Sequence, residues 1–212
     1  MVVPALNEAA GIRGALEALA PLRARGHEVI VVDGGSTDQT SELARALCDR
    51  LIAAPRGRAV QMNAGAREAK GQVLLFLHAD TRLPPDADEL VQGPVWGRFD
   101  VQIDERHPLL KVVAWSMNLR SRLTGIATGD QAIFVRREAF HGFPELPLME
   151  DIAFSAAMKR TARPACLRAK VTTSGRRWLS RGVLRTILLM WQLRAMYAMG
   201  VSAERLARRY AR

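Results

Sequence analysis

Five apolar residues, Val73-Leu74-Leu75-Phe76-Leu77, follow Gly71-Gln72 and run straight into His78-Ala79-Asp80. An unbroken apolar run of this length reads as a strand buried on both faces, as in a parallel sheet held between helix layers. A carboxylate at the carboxyl end of such a strand stands where open α/β sheets bind their ligands. The segment 27–32 repeats the arrangement and ends in Asp33-Gly34-Gly35-Ser36-Thr37-Asp38. A third acidic site, Glu150-Asp151, comes far downstream. Two strand-end acids and a distant carboxylate form the layout of a nucleotide-using enzyme.

The first half alternates strand and helix. Val2-Val3 ends a strand, 4–8 is a loop, and Ile12, Ala15, Leu16, Leu19 and Leu22 recur at helical spacing. After the strand at 28–32, Ser36-Thr37-Asp38-Gln39 fits a capping box opening a helix whose buried face is Leu43, Leu47 and Leu51. A helix over roughly 59–69 leads to the strand at 73–77. This order predicts an α/β fold, a mostly parallel sheet with helices on both faces. In the second half, Val95, Gly97, Phe99, Val101 and Ile103 alternate with mostly polar residues, predicting an antiparallel, half-exposed strand. Helices near 108–122 and from 150 to about 160, a short strand at 132–135, an amphipathic helix at 181–199 and a short basic helix from Ser202 complete the reading. No linker splits the chain. Residues 1–178 read as the main domain, and 179–212 as C-terminal basic amphipathic helices packed on or next to it.

The net charge of +10 is uneven, because lysine and arginine outnumber acids mainly beyond residue 100. Such a basic segment suits an anionic partner, although plain solubility charge explains it as well. Cys48 and Cys166 lack metal or redox spacing and read as small core hydrophobes in a reducing compartment. No signal peptide is visible. Arg185, Gln192 and Arg194 interrupt the apolar stretch at 183–199, so it does not read as a membrane span. A cytoplasmic location is expected, with association to the cytoplasmic face of a membrane left open.

Each candidate residue has a plainer explanation beside the chemical one. Asn7 in Pro4-Ala5-Leu6-Asn7-Glu8 suits a helix cap or a loop lining a nucleotide site. Asp33 suits a base or ribose, and the glycines after it allow close backbone approach. Ser36 and Asp38 are also explained by a capped helix. Asp80 suits a divalent cation held against a diphosphate, or a solvated loop. Arg56-Gly57-Arg58 can pair with phosphates. Glu150 and Asp151 suit the first turn of any helix, and either also suits a general base. Arg176-Arg177-Trp178 sets guanidinium groups beside an indole, for an anionic or sugar ligand or as a basic surface. Met190, Trp191, Met196, Tyr197 and Met199 read first as a core stripe. The glycine-rich dinucleotide fingerprint and the phosphate-loop lysine are both missing, which removes two nucleotide-binding classes.

The order of these motifs resembles glycosyltransferase family 2, inverting enzymes with the Rossmann-like GT-A fold. Pro4 to Glu8 looks like the family's opening Pro-x-x-Asn-Glu segment, and Asp33 to Asp38 like its nucleotide loop. Arg58, Asn63 and Gly65 fall in its Gly-x-x-x-Ala-x-Asn-x-Gly region. His78-Ala79-Asp80 resembles its Asp-x-Asp motif, and Glu150-Asp151 the Glu-Asp pair carrying the base. Phe76–Thr81, Gly129-Asp130-Gln131-Ala132 and Phe143–Asp151 look closest to a small bacterial branch named for arsenosugar biosynthesis.

The resemblance implies transfer of one sugar from a nucleotide-diphosphate sugar to an acceptor hydroxyl with inversion. Asp151 would be the base, and a divalent cation (Mg²⁺ or Mn²⁺) would sit at Asp80. Pro4, Asn7, Glu8, Asp33, Gly35, Ser36, Asp38, Arg58, Asn63, His78 and Ala79 would bind the nucleotide-sugar. Gly129, Asp130, Gln131, Glu150, Arg177 and Trp178 would meet acceptor or phosphate. A lipid-linked acceptor and a peripheral contact with anionic membrane stay open, and no specific nucleic acid is expected. Three departures stand out. His78 replaces the first metal-motif acid. Thr173 or Ser174 stands where processive synthases carry glutamine, which implies a single transfer. Only three residues precede Pro4, so the first strand is expected to be clipped. The rival readings are a non-catalytic basic protein on anionic membrane or RNA, and a sugar nucleotidyltransferase.

Overall fold

The computed structural model describes residues 1–104 and 107–210, with the side chain of Arg177 outside the description. Three parallel strands open the chain: β1 (Val2–Ala5), β2 (Ile30–Asp33) and β3 (Arg50–Ala53), in the order β1-β2-β3. A parallel bridge from Val2 to Phe76 joins β1 to the segment of β4 (Val73–Leu75). Beyond β4 lie β7 (Phe134–Arg136), β6 (Trp96–Asp104), β8 (Ala165–Ser174) and β5 (Thr81–Arg82), in that order. Because β1, β2 and β4 run parallel, their carboxyl ends share one edge, and that edge carries Asp33 and leads into His78-Ala79-Asp80.

Alternating strand residues feed two separate cores, as the pleat requires. Val3, Val31, Leu75 and Leu77 pack toward α1 (Ile12–Glu17), α2 (Ala20–Ala24) and α3 (Thr40–Arg45). Val2, Ile30, Val32, Leu74 and Phe76 pack toward α4 (Arg58–Glu68) and α7 (Glu150–Met158). Helix α4 lies so close that a Cβ on Gly65 would come within 2.4 Å of Val2. A short α5 (Ala87–Leu90) precedes β6, and α6 (Pro108–Thr124) follows it. Three helices end the fold: α8 (Arg176–Arg181), α9 (Val183–Ala198) and α10 (Ala203–Tyr210). Val183 of α9 packs on Leu110 and Val113 of α6, while Leu193 and Leu206 cluster with Met149. Among the described residues no helix is long and apolar enough to cross a membrane.

Several expectations need correction. The Ser36 capping box does not form, because the Ser36 hydroxyl donates to Asp33 and α3 starts only at Thr40. Asp38 takes the Thr40 N–H instead, a carboxylate being a stronger acceptor than a hydroxyl. Leu51 lies in β3, not on that helix. Strand β6 is buried from Trp96 to Val101 and pairs parallel with β8 as well as antiparallel with β7. Its polar letters are internal: Arg98 is fully buried and donates to Asp100, which also accepts from Arg122 at 2.6 Å. The expected core stripe divides: Met190, Met196 and Tyr197 pack against Leu193 and Leu206, whereas Trp191 is 69% and Met199 75% exposed.

Candidate active site

The first loop and the Asp33–Asp38 loop are tied together by their own polar groups. Asn7 N–H donates to Ser36 Oγ at 2.9 Å, and Asn7 Oδ1 accepts from Thr37 N–H at 2.8 Å. Glu8 N–H donates to Thr40 Oγ1, and Ala9 N–H to Asp38 Oδ2. Asn7 achieves this in the left-handed region (φ 55°), which asparagine tolerates better than most residues. Asp33 accepts from both Ser36 N–H and the Ser36 hydroxyl, so its carboxylate points back across the loop. Pro4 lies in β1 opposite Val32, and Gly35 turns the loop at φ 86°. The result is a rigid rim at the carboxyl edge of the sheet.

Asp80 sits beside this rim, half-buried, with Oδ1 accepting from Thr81 Oγ1 at 3.3 Å. Ala79 is buried. His78 turns the other way: its Nδ1 lies 3.2 Å from Asp130 Oδ1, and its Nε2 is buried without a hydrogen-bond partner among the described residues. The ring lies so close to Gly129 that any Cβ there would fall 2.4 Å from Nε2. Among the described residues no group of three or more His, Cys, Asp or Glu is placed to hold a metal ion. One carboxylate suits only a cation that arrives with its own oxygen ligands, as Mg²⁺ does with phosphates.

Next to His78 a cavity of about 520 Å³ opens between the sheet edge, α6, α7 and α9. Arg58, His78, Gly129, Asp130, Glu150, Asp151 and Trp178 of the expected residues line it. Asp151 Oδ2 accepts from Gly129 N–H at 3.1 Å and Oδ1 from Ile152 N–H at 2.8 Å, so the carboxylate is held at the cavity wall. Two backbone strains set this geometry. Met149, the residue before Glu150, has φ 69°, and Ala132, after the 129–131 turn, has φ 47°. Non-glycine residues in that region cost about 1–3 kcal/mol and gather at functional sites.

Glu150 is buried and pairs with Arg58 Nη1 at 3.1 Å. Burial pushes its carboxyl above the ordinary range, against the pull of Arg58. For Arg58, burial works against the charge, but the carboxylates of Glu150, Asp151 and Asp130 raise it overall.

Two expected residues are brought elsewhere. Asn63 is buried, with Nδ2 donating to Phe143 C=O at 2.9 Å and Oδ1 accepting from Phe143 N–H at 2.8 Å. It clamps the segment leading to Met149, and does not line this cavity. Gln131 is fully buried and donates to Asn118 and Ser121 of α6. Arg177 was also expected here, and its side chain lies outside the described residues. The reading of the sequence missed Arg120 and Arg194. The signal was a lone arginine on an apolar helix face: Val113-Met117-Arg120 on α6 and Ile187-Met190-Trp191-Arg194 on α9.

A mixed sheet with helices on both faces and acids at the carboxyl edge of its parallel strands is the architecture of a GT-A glycosyltransferase fold. Solved structures of that fold bear this out. The chain superposes on glucosyl-3-phosphoglycerate synthase from Mycobacterium tuberculosis, solved with Mn²⁺, UDP and glucosyl-3-phosphoglycerate, at TM-score 0.59 and 22% identity. That match covers 81% of this chain and 69% of the synthase. S. aureus TarS 1–349 gives TM-score 0.65 at 22% identity, over 82% of this chain and 59% of TarS. Residues 1–107 match the family Glycosyl transferase family 2, and the chain belongs to that family. A PGL/p-HBAD biosynthesis glycosyltransferase of Mycobacterium bovis (strain BCG / Pasteur 1173P2) is 34% identical over 115 residues. That alignment covers 51% of this chain and 42% of the relative, so the chain matches less than half the relative's length. The same identity and coverage hold for a relative of that name in Mycobacterium tuberculosis (strain ATCC 25177 / H37Ra). These relatives carry the PGL/p-HBAD name and not that of the arsenosugar branch expected from the motifs.

Proposed function

We propose that this chain transfers a single sugar from a nucleotide-diphosphate sugar to an acceptor hydroxyl with inversion at the anomeric carbon. The observation that carries the reading is the Asp151 carboxylate, held by Gly129 N–H at the wall of a cavity beside the Asp33 and Asp80 edge. Asp151 takes the proton of the acceptor hydroxyl as its oxygen bonds to the anomeric carbon. The bond from that carbon to the diphosphate oxygen breaks, and the nucleoside diphosphate leaves. Asp33 and the Asn7–Ser36 rim receive the nucleoside, and Arg58 stands toward the phosphates. Asp80 would hold Mg²⁺ or Mn²⁺ together with the diphosphate, and that ion would supply charge stabilisation to the leaving group. Support for the donor class comes from the structural neighbours. The M. tuberculosis synthase binds UDP with Mn²⁺ or with Mg²⁺, and a Pyrobaculum calidifontis mannosyltransferase was solved with GDP-Man and Mn²⁺. Residues 179–212 act in this reading as the acceptor-side wall, α9 contributing Ile187, Met190 and Trp191 to the cavity.

The test is a thermal-shift panel of UDP, GDP, CDP and dTDP with and without Mn²⁺, on wild type and Asp80→Ala. A Mn²⁺-dependent rise with one nucleotide, absent in the variant, is expected. The absence of any rise in folded wild-type protein would defeat the proposal. A membrane-side acceptor is favoured by one further observation: α9 exposes Leu184, Leu188 and Trp191 beside Arg185. Such a face suits the interface of an anionic bilayer. Vesicles with anionic lipid should then sediment the protein at low salt, and a protein left in the supernatant would end this second reading.

A further inference from the structure

Arg120 is the unexplained group of the molecule. Its Nε and Nη2 are buried and have no hydrogen-bond partner among the described residues. It lies on the cavity-facing side of α6, after Val113, Ser116 and Met117. Arg194 approaches the same cavity from α9, after Ile187, Met190 and Trp191. Neither arginine forms an ion pair with a carboxylate among the described residues, whereas Arg58 in the same cavity is matched by Glu150. Buried guanidinium groups are normally matched by anions or hydrogen-bonded, because an unmatched buried charge is costly. Here Arg120 carries two such orphaned atoms, and Arg194, half-buried in the same cavity, disfavours its charge further. Arg120 is pulled down to about 10 by burial and by Arg194, against the weaker pull of Asp151, and burial lowers Arg194 against Asp151 and Asp130.

We infer that Arg120 and Arg194 form an anion-binding subsite within the acceptor cavity, and that the acceptor is an amphiphile whose anionic head group lies near the hydroxyl that Asp151 deprotonates. The inference rests on the transferase reading above and names its acceptor class. The apolar remainder of the cavity, from Val112, Met117, Ile187, Met190, Trp191 and Trp178, suits the body of such a molecule. The donor's diphosphate is the competing occupant. Against it, Asn7, Asp33, Ser36 and Asp80 do not line this cavity, and the phosphate-side Arg58 that does is already matched by Glu150.

The experiment measures calorimetric binding of octyl phosphate, octanoate, octyl glucoside and inorganic phosphate to wild type, Arg120→Met and Arg194→Met. UDP with Mn²⁺ is titrated in parallel. Wild type should bind one of the two anionic amphiphiles at least tenfold more tightly than octyl glucoside or inorganic phosphate. Each variant should lose that preference by tenfold or more while binding UDP like wild type. The melting temperature of Arg120→Met without ligand should equal or exceed that of wild type, since a guanidinium waiting for a ligand contributes no stability. Unchanged octyl phosphate and octanoate binding by both variants would overturn the inference. So would loss of UDP binding, which would give the arginines to the donor, or equally tight inorganic phosphate, which would remove the apolar requirement. Failure of wild type to bind any nucleotide would strike the transferase reading, whereas the amphiphile titrations report on the subsite independently.

Discussion

Replacing Asn63 with alanine separates two roles that the motif leaves joined. As a donor contact, Asn63 would be dispensable for stability and needed for nucleotide affinity. The structure makes it a clamp: both ends of its amide bond the backbone of Phe143, 80 residues away in sequence and 3% exposed. Alanine orphans one buried N–H and one buried C=O, each costing about 1–3 kcal/mol when left unsatisfied. Partial access of water to the 140–145 segment puts the sum at about 2–4 kcal/mol. At roughly 3 °C per kcal/mol for a chain of this size, the melting temperature should fall by about 6–12 °C. The same clamp precedes Met149, Glu150 and Asp151, so turnover should drop while UDP affinity stays within about twofold of wild type. Urea denaturation and UDP calorimetry on the same samples decide it. A variant as stable as wild type that binds UDP tenfold more weakly would refute the clamp and restore the donor role.

The buried carboxyl of Glu150 gives a pH signature. Burial raises its folded value above the ordinary 4.5 of a glutamate, so the stability it contributes is full below that pH and is lost as pH rises through the folded value. Glu150→Gln should therefore match wild type near pH 4 and become the more stable protein toward pH 7, as read by urea midpoints. A glutamine variant that is less stable at pH 7 would show that the Arg58 pair outweighs burial. Asp100→Ala leaves the fully buried Arg98 and its neighbour Arg122 without their shared anion. It should cost about 3–5 kcal/mol, with a loss under 1 kcal/mol counting against the network.

Strand, helix and strand were legible over the first 80 residues because burial there is apolar and follows period. Val73 to Leu77 and the Ile12–Leu22 face lie where their pattern put them. Legibility failed where polar side chains were internal. Arg98 and Asp100 made β6 look half-exposed, since a neutralised buried pair has the same letters as a solvated one. Strand β8 went unread because Arg168 and Lys170 interrupt its apolar run, although it is the longest strand among the described residues. At the site, Asp151 was readable from its pair and position, and seven of the expected residues do meet in one cavity. Asn63 and Gln131 were not separable from contact residues by spacing alone, because clamping a loop and binding a ligand call for the same amide. Arg120 and Arg194 lie 74 residues apart on two helices, and only packing brings them to one cavity.

The role of Asp151 is best tested by Asp151→Asn, which preserves shape and the acceptor for Gly129 N–H while removing the basic carboxylate. Once a donor and an acceptor are found, turnover and nucleotide affinity are measured on wild type and variant together. Turnover should fall by about 10²–10⁴-fold with donor affinity unchanged. An asparagine variant that keeps more than a tenth of wild-type turnover would remove Asp151 from the chemistry, and with it the central claim.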